Sequence, residues 1–417
     1  MEKVLLVKLI NQEKQSEIDS DIQEMKGLIS TAGGITAEVV TQKRADISAA
    51  YFIGRGKAEG LVTDSSDISL IVFDAELKPV QVRNLEKITG LRVIDRTQLI
   101  LDIFAGRART AEGKLQVEYA QLNYILPRLT GRGRDMMQQA GSGGARGPIG
   151  TRGPGETKLE TDRRKIKRRL EKIKEELKKI KESRARQRER RKAVPVPLMA
   201  LVGYTNAGKT MLLNRLTKAG MLSEDKLFAT LDPKIKQFML PNRQRVLISD
   251  TVGFIKKLPT YLVAAFRATL EEVSEADVIL HVSDLTDPEA ESHREVVRSI
   301  LAELGVFEGK EIIEVYNKLD LAADDRKKMI ISRSPGIYIS AKTGEGIGAL
   351  TAAIEKAASK GFTVRTVKVP AKRRDILSFF YNEAVVTGRK DTAKTAVLEV
   401  ICTEKTFARY QKLIKEG

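Results

Sequence analysis

Residues 203–210 read GYTNAGKT, a glycine-framed loop ending in Lys-Thr, and DTVG at 250–253, NKLD at 317–320 and SAK at 340–342 follow in order. The loop is a phosphate cradle. Gly203 and Gly208 let backbone N–H groups turn inward, Lys209 brings charge to the β and γ phosphates, and the Thr210 hydroxyl can ligate Mg²⁺. The intervening Tyr204, Thr205, Asn206 and Ala207 complete the loop. A phosphate site alone does not name a base. Asn317-Lys318-Leu319-Asp320 does, because a carboxylate accepting from two N–H groups on one edge pairs with guanine and mismatches adenine; each such bond is worth about 1.5–3 kcal/mol.

The hydrophobic runs that precede these motifs set the fold class. Leu198–Val202 leads into the phosphate loop, Val246–Ser249 into DTVG, Ile312–Tyr316 into NKLD and Ile337–Ile339 into SAK, with Val278–Ser283 as a further buried strand. Each motif therefore stands at the carboxyl end of a strand, where open α/β sheets bind ligands. The expectation is an α/β protein with a P-loop doubly wound parallel sheet over 193–361. An N-terminal α/β domain (1–112), a basic helical coiled-coil hairpin (113–192) and a small C-terminal α/β domain (362–417) of strand, helix, strand, helix complete it.

In the N-terminal part, Val4–Ile10 and Leu70–Phe73 read as buried strands, and Ile18, Ile22, Met25 and Ile29 mark one helix face. Gly54-Arg55-Gly56 with Gly60 resembles a dinucleotide fingerprint, but its third glycine is one position late, so a turn into a helix is the reading. From Glu156 to Lys192, Leu159, Ile166, Ile173 and Ile180 recur every seven residues, with Leu170 and Leu177 between them. This is a coiled-coil seam, most simply paired with Gln116–Leu126. Between the two, about 130–155, lies a glycine-rich loop carrying Arg132, Arg134, Arg146 and Arg152; an inert tether is the alternative.

The 417-residue chain holds 73 Lys and Arg against 55 Asp and Glu, net +18. The 156–192 helix alone carries 18 basic against 8 acidic residues, more than half the excess. A polyanionic, phosphate-bearing partner is expected. One cysteine, Cys402, excludes an intrachain disulfide, and with only His281 and His293 beside it no zinc cluster can form, leaving oxygen-bound Mg²⁺. No segment suggests a signal peptide or membrane span, so a cytoplasmic protein, monomeric when free, is expected.

GPGETKLETDRR at 153–164, the basic helix, GYTNAGKT, LFATLDP at 227–233, DTVGFIKKLP at 250–259 and NKLD stand in an order that resembles the HflX family of translation-associated GTPases. The resemblance covers most of the chain. It implies a GTPase that binds the large ribosomal subunit, its N-terminal domain and loop directed to ribosomal RNA, acting in ribosome splitting or recycling, protein synthesis or ribosome biogenesis. It implies that Thr210 and Thr230 ligate Mg²⁺, Asp250 holds the metal through water, Gly253 N–H meets the γ-phosphate, and Ser340-Ala341-Lys342 steadies the guanine. Phe228, Ala229, Leu231 and Asp232 flank the switch threonine; Thr251 and Val252 flank the second switch. Two departures stand out: Lys234-Ile235-Lys236 replaces the family's usual Thr-Thr-Arg after ATLDP, and Lys-Thr-Met replaces Lys-Ser-Thr at the end of the phosphate loop.

Catalysis is expected to centre on Lys209, Thr230, Gly253 and Asn206. The position after DTVG is Phe254, which cannot orient water, so slow intrinsic hydrolysis stimulated by a partner is expected. Asn206 stands where potassium-activated GTPases carry an asparagine, so K⁺ is a candidate cofactor. The alternative function is an RNA-binding or remodelling protein whose N-terminal domain acts on ribosomal RNA with ATP, GTP being regulatory.

Overall fold

Strands Lys3–Ile10 (β1) and Leu70–Phe73 (β3) are apolar on both faces, as strands covered by helices on either side must be, and both are parallel members of one sheet. The computed structural model describes residues 1–62, 67–131, 154–192, 196–217, 227, 228, 230, 232, 234–257, 272–303, 305–306, 310–322 and 334–415. The chain divides into two compact units. One comprises Met1–Lys179 with Lys226–Phe228 and Lys257–Phe266, the other Ile180–Asp225, Ala229–Lys256 and Arg267–Gly417.

In the first unit, β1 is followed by helix Gln15–Thr31 (α1), strand Ile35–Lys43 (β2), the short helix Arg55–Glu59 (α2), β3, helix Pro79–Thr89 (α3), strand Arg92–Asp95 (β4) and helix Arg96–Arg107 (α4). The strand order is β2-β1-β3-β4, all parallel. The glycine pair at 54–56 opens α2 with Gly54 at its N-cap, the turn into a helix that its spacing predicts. Helix Ala111–Ile125 (α5) is capped by Thr110, whose hydroxyl accepts from Gly113 N–H at 2.9 Å.

Helix Pro154–Lys192 (α6) buries Leu170 and Ile173 of the predicted seam. Arg169 meets Glu118 of α5 with two bonds of 2.6 Å, the bidentate pairing a guanidinium makes best. The arginine-bearing loop between α5 and α6 lies outside the described residues.

Charge is buried at the carboxyl end of this parallel sheet. Lys8, 1% exposed, donates to Asp21 at 2.7 Å and Asp74 at 3.2 Å. Arg96 bonds Asp74 at 2.8 Å and also pairs with Glu24, and Lys257 reaches Asp21 at 2.7 Å. Burial works to lower the Lys8 pKa, but Asp21 and Asp74 outweigh it and hold that pKa above its ordinary value.

The second unit is built on strands Leu198–Val202 (β5), Lys234–Met239 (β6), Arg245–Asp250 (β7), Val278–Asp284 (β8), Glu311–Asn317 (β9) and Ile337–Tyr338 (β10), with helices Lys209–Thr217 (α7), Ala290–Glu303 (α8) and Ile347–Ala358 (α9). The order is β10-β9-β8-β5-β7-β6. The sheet is parallel except at one edge: β6, formed by the Lys234-Ile235-Lys236 stretch, runs antiparallel to β7. Beyond it the chain forms strand Phe362–Pro370 (β11), helix Arg374–Glu383 (α10), strands Val385–Asp391 (β12) and Thr395–Thr403 (β13) and helix Glu404–Lys415 (α11). The expected strand, helix, strand, helix is thus corrected to one with a hairpin, β12 and β13. Thr392 N–H donates to Thr395 O at 2.8 Å and closes that turn without glycine or proline.

Glu314 of β9 accepts from Arg298 at 2.7 Å and meets His281 Nδ1 at 3.1 Å and Arg294 at 3.4 Å. Burial would raise its pKa; His281 and the two arginines overcome that and bring it down to about 2. The folded state thus holds this carboxylate ionised more firmly than the unfolded chain does. Its contribution is complete above the unfolded value near 4.5 and is lost as pH falls from there toward 2. Glu314→Gln is expected to destabilise the protein by about 2–3 kcal/mol at pH 7, read by urea unfolding. The difference from wild type should narrow as the pH is lowered from about 5 to 3.

Candidate functional site

The buried run Leu198–Val202 ends at Gly203, whose φ of +154° and close approach to β8 admit no side chain: a Cβ there would sit 2.1 Å from Val282 O. The loop then passes through Asn206, exposed and left-handed at φ 61°, and Gly208 at φ +88°. A Cβ on Gly208 would meet Asn317 Nδ2 at 2.2 Å. Helix α7 starts at once with Lys209, so its N-terminal amides and dipole face the loop. Lys209 is buried and donates to its own loop, to Gly203 O at 3.0 Å and Tyr204 O at 2.8 Å. Burial pulls its pKa down to about 8, with Asp250 opposing the shift.

Three oxygen groups from three segments converge beside it. Thr210 Oγ1 lies 2.7 Å from Asp250 Oδ2, Thr230 Oγ1 2.9 Å from the same oxygen, and the two hydroxyls are 3.0 Å apart. Asp250 is fully buried, and among the described residues its other oxygen, Oδ1, has no hydrogen-bond partner. A buried carboxylate oxygen left unsatisfied beside two hydroxyls fits a small hard cation, which takes oxygen ligands. Among the described residues no group of three or more His, Cys, Asp or Glu side chains is arranged to hold a metal ion.

The NKLD and SAK segments are locked to the phosphate loop. Asn317 Nδ2 donates to Ala207 O at 2.9 Å while its Oδ1 accepts from Ala341 N–H at 2.9 Å. Asp320 Oδ1 accepts from Ser340 Oγ at 2.6 Å, and Leu319 N–H donates to Ile339 O at 3.0 Å. Lys318 is left-handed at φ 67° and pairs with Asp284 at 2.7 Å. Arg215 of α7 donates to Ala341 O at 2.9 Å and also to the carbonyl of Lys342, holding the SAK loop from beneath.

The second switch segment starts flush against the loop. Thr251 Oγ1 donates to Leu201 O at 2.6 Å, and Val252 is buried. Phe254 N–H donates to Gly203 O at 3.1 Å and Thr205 N–H to Phe254 O at 2.8 Å. The Phe254 ring is buried among Ala200, Val202, Val273 and Ile279, so it faces the core.

The expected residues from Gly203 to Thr210, Thr230, Asp250 to Gly253, Asn317 to Asp320 and Ser340 to Lys342 thus stand together. Asp232 is half-buried after Thr230, Ala229 and Leu231 lie outside the described residues, and Phe228 belongs to the first unit, its ring 4.7 Å from that of Phe104. Arg215 and Asp284 were not signalled by any motif, since their partners, the Ala341 and Lys342 carbonyls and Lys318, lie far away in sequence.

Four family descriptions match the chain: "GTP-binding GTPase N-terminal" over 19–105, "GTP-binding GTPase Middle Region" over 107–191, "50S ribosome-binding GTPase" over 198–318 and "HflX C-terminal domain" over 327–412. GTPase HflX of Alkalihalophilus pseudofirmus is 43% identical over 426 residues, spanning 100% of this chain and 98% of that one. The chain belongs to the HflX family of GTPases. The Escherichia coli member is 40% identical over 388 residues, covering 91% of this chain and 88% of its own. A GTP-binding protein from Sulfolobus solfataricus, solved in complex with GDP, is 27% identical over 86% of this chain and 99% of its own, with a TM-score of 0.45. The HflX assignment and the P-loop domain make this an enzyme that binds and hydrolyses GTP. Among the described residues no helix is long and apolar enough to cross a membrane.

Gly208→Ala is expected to displace Asn317 and break the bond to Ala207 O, because the added carbon has no room. Titration with a fluorescent GDP should show an affinity loss of about 10²-fold or more, as this hydrogen bond and the loop geometry are lost together, while thermal melting shows a folded protein.

Proposed function

We propose that this GTPase uses its nucleotide state to time association with the large ribosomal subunit, gripping ribosomal RNA through the basic α6 and the loop preceding it. The observation that carries this reading is the charge of the 156–192 helix, 18 basic against 8 acidic residues. A helix that concentrates more than half of a chain's basic excess suits a phosphate backbone better than a protein surface. The family description of 198–318 as a 50S ribosome-binding GTPase supports the same partner.

In this reading Lys209 and the amides at the start of α7 hold the β and γ phosphates, and the Gly253 N–H meets the γ-phosphate. Thr210 and Thr230 would hold Mg²⁺ directly and Asp250 through water; their convergence and the unsatisfied Asp250 Oδ1 fit that role. When bound, the ion neutralises charge on the β and γ oxygens. Asp320 accepts from the guanine edge, with Ser340 fixing the carboxylate and Ala341 and Lys342 flanking the base.

Phe254 is where a water-orienting side chain would otherwise stand, and its ring is committed to the core. Intrinsic hydrolysis is therefore slow, and the ribosomal partner supplies what is missing; groups given in trans contribute about 10³–10⁵ in rate. Exposed, left-handed Asn206 can present its carbonyl to a K⁺ ion beside the phosphates. Equal hydrolysis rates in KCl and NaCl would discard that role.

The deciding measurement is sedimentation with purified ribosomal subunits in GDP and in a non-hydrolysable GTP analogue. Association is expected with large subunits in the analogue, falling by about 10³–10⁵ in affinity between 50 and 200 mM salt if six to ten phosphates are contacted. Binding indifferent to nucleotide would sink the proposal. Asp320→Ala removes two charge-assisted bonds, so GTP affinity should fall by about 10²–10⁴-fold with ATP affinity unchanged, measured by calorimetry.

A further inference from the structure

One side chain joins the phosphate loop to the segment after DTVG, and no motif accounts for it. The Tyr204 ring lies flat on His293, centroids 3.8 Å apart and planes within 9°. Its hydroxyl accepts from the backbone N–H of Lys256 at 2.8 Å. Asp287 Oδ2 bonds His293 Nδ1 and sets the imidazole's orientation. The Lys256 ammonium pairs with Glu289, so both ends of the contact are anchored on the turn leading into α8 and on its first residues.

Three residues before Lys256 stands Gly253, packed so closely that a Cβ would come within 2.8 Å of Thr205 Cα and 3.2 Å of Lys209 Nζ. The Phe254 backbone is paired to Gly203 and Thr205 on one side, and Tyr204 pins Lys256 on the other. Upstream, Thr251 Oγ1 donates to Leu201 O, so the Gly253 N–H sits in a segment, 251–256, tied at its start, at Phe254 and at Lys256. Loosening the Tyr204 tie frees the far end of that segment.

We propose that Tyr204 is a positioning residue for triphosphate recognition: supported by His293, it holds the Lys256 backbone and so keeps the Gly253 N–H in register with the phosphate loop. This rests on the reading that Gly253 meets the γ-phosphate. GDP has no γ-phosphate, so the tie acts on GTP alone.

The test is equilibrium titration of the full chain with fluorescent GDP and a fluorescent non-hydrolysable GTP analogue, comparing the ratio of affinities. Tyr204→Phe keeps the ring and its stack and removes only the hydroxyl. Loss of one neutral hydrogen bond predicts a fall in analogue affinity of about 3- to 10-fold relative to GDP. His293→Ala should move the ratio the same way, and His293→Phe, which restores a ring beneath Tyr204, should recover most of it. Tyr204→Phe and His293→Phe conserve volume, so the result does not depend on the alanine variant folding.

An unchanged ratio in Tyr204→Phe, or equal loss for both nucleotides, overturns the proposal. Gly253→Ala separates the two levels. If it weakens the analogue selectively and Tyr204→Phe does not, the positioning role falls alone; if neither is selective, the γ-phosphate reading of Gly253 falls with it.

Discussion

The side-chain amide of Asn317 is the constraint on which the nucleotide site depends. It donates to Ala207 O and accepts from Ala341 N–H, both at 2.9 Å, so one planar group fixes the distance between the phosphate loop and the SAK loop. An aspartate could not donate and a leucine could do neither, and each would leave a buried backbone group unpaired at a cost of about 1–3 kcal/mol. Gly208 follows from the same constraint, because the amide occupies the space a Cβ would need. Arg215 and Ser340 then brace the second loop, through the carbonyls of Ala341 and Lys342 and through Asp320. The four motifs work as one site because these cross-links make their geometry a single variable.

Much of this was legible in the sequence. Buried parallel strands read as unbroken apolar runs, and all five that lead into or flank the motifs form as their hydrophobicity predicts. The heptad spacing likewise marks Leu170 and Ile173, both buried. The misses share a physical cause. Edge strand β6, Lys-Ile-Lys-Gln-Phe-Met, is only six residues long and opens with Lys234-Ile235-Lys236 directly after the switch-threonine stretch, so its apolar signal is weak. The turn between β12 and β13 is closed by threonine hydroxyl and backbone bonds and lacks the glycine or asparagine that announces a hairpin.

Side chains whose role lies in contacts distant along the chain were illegible for a different reason. His293 and Tyr204 are 89 positions apart in the numbering, and nothing at either position announces a stacked pair. Lys8 sits in an apolar strand, where a lysine would ordinarily argue against burial; only the fold brings Asp21 and Asp74 within reach. Residues that act through local chemistry show in the pattern of the chain; those that act through a partner supplied by topology do not.

The two buried lysines show how the fold separates structural from ligand-directed charge. Lys8 and Lys209 are both almost inaccessible, at 1% and 7% exposure, and burial alone would lower both pKa values. Lys8 moves the other way because Asp21 and Asp74 bond it directly, so its charge is neutralised within the protein. Among the described residues Lys209 bonds only two backbone carbonyls, and its pKa is pulled down to about 8. A cation whose desolvation is not offset by a bonded carboxylate gains most from an anion brought in from outside. In the proposed reading, phosphate oxygens delivered to the start of α7 would supply that anion, and the energy the protein withholds from Lys209 in folding would become available to nucleotide binding.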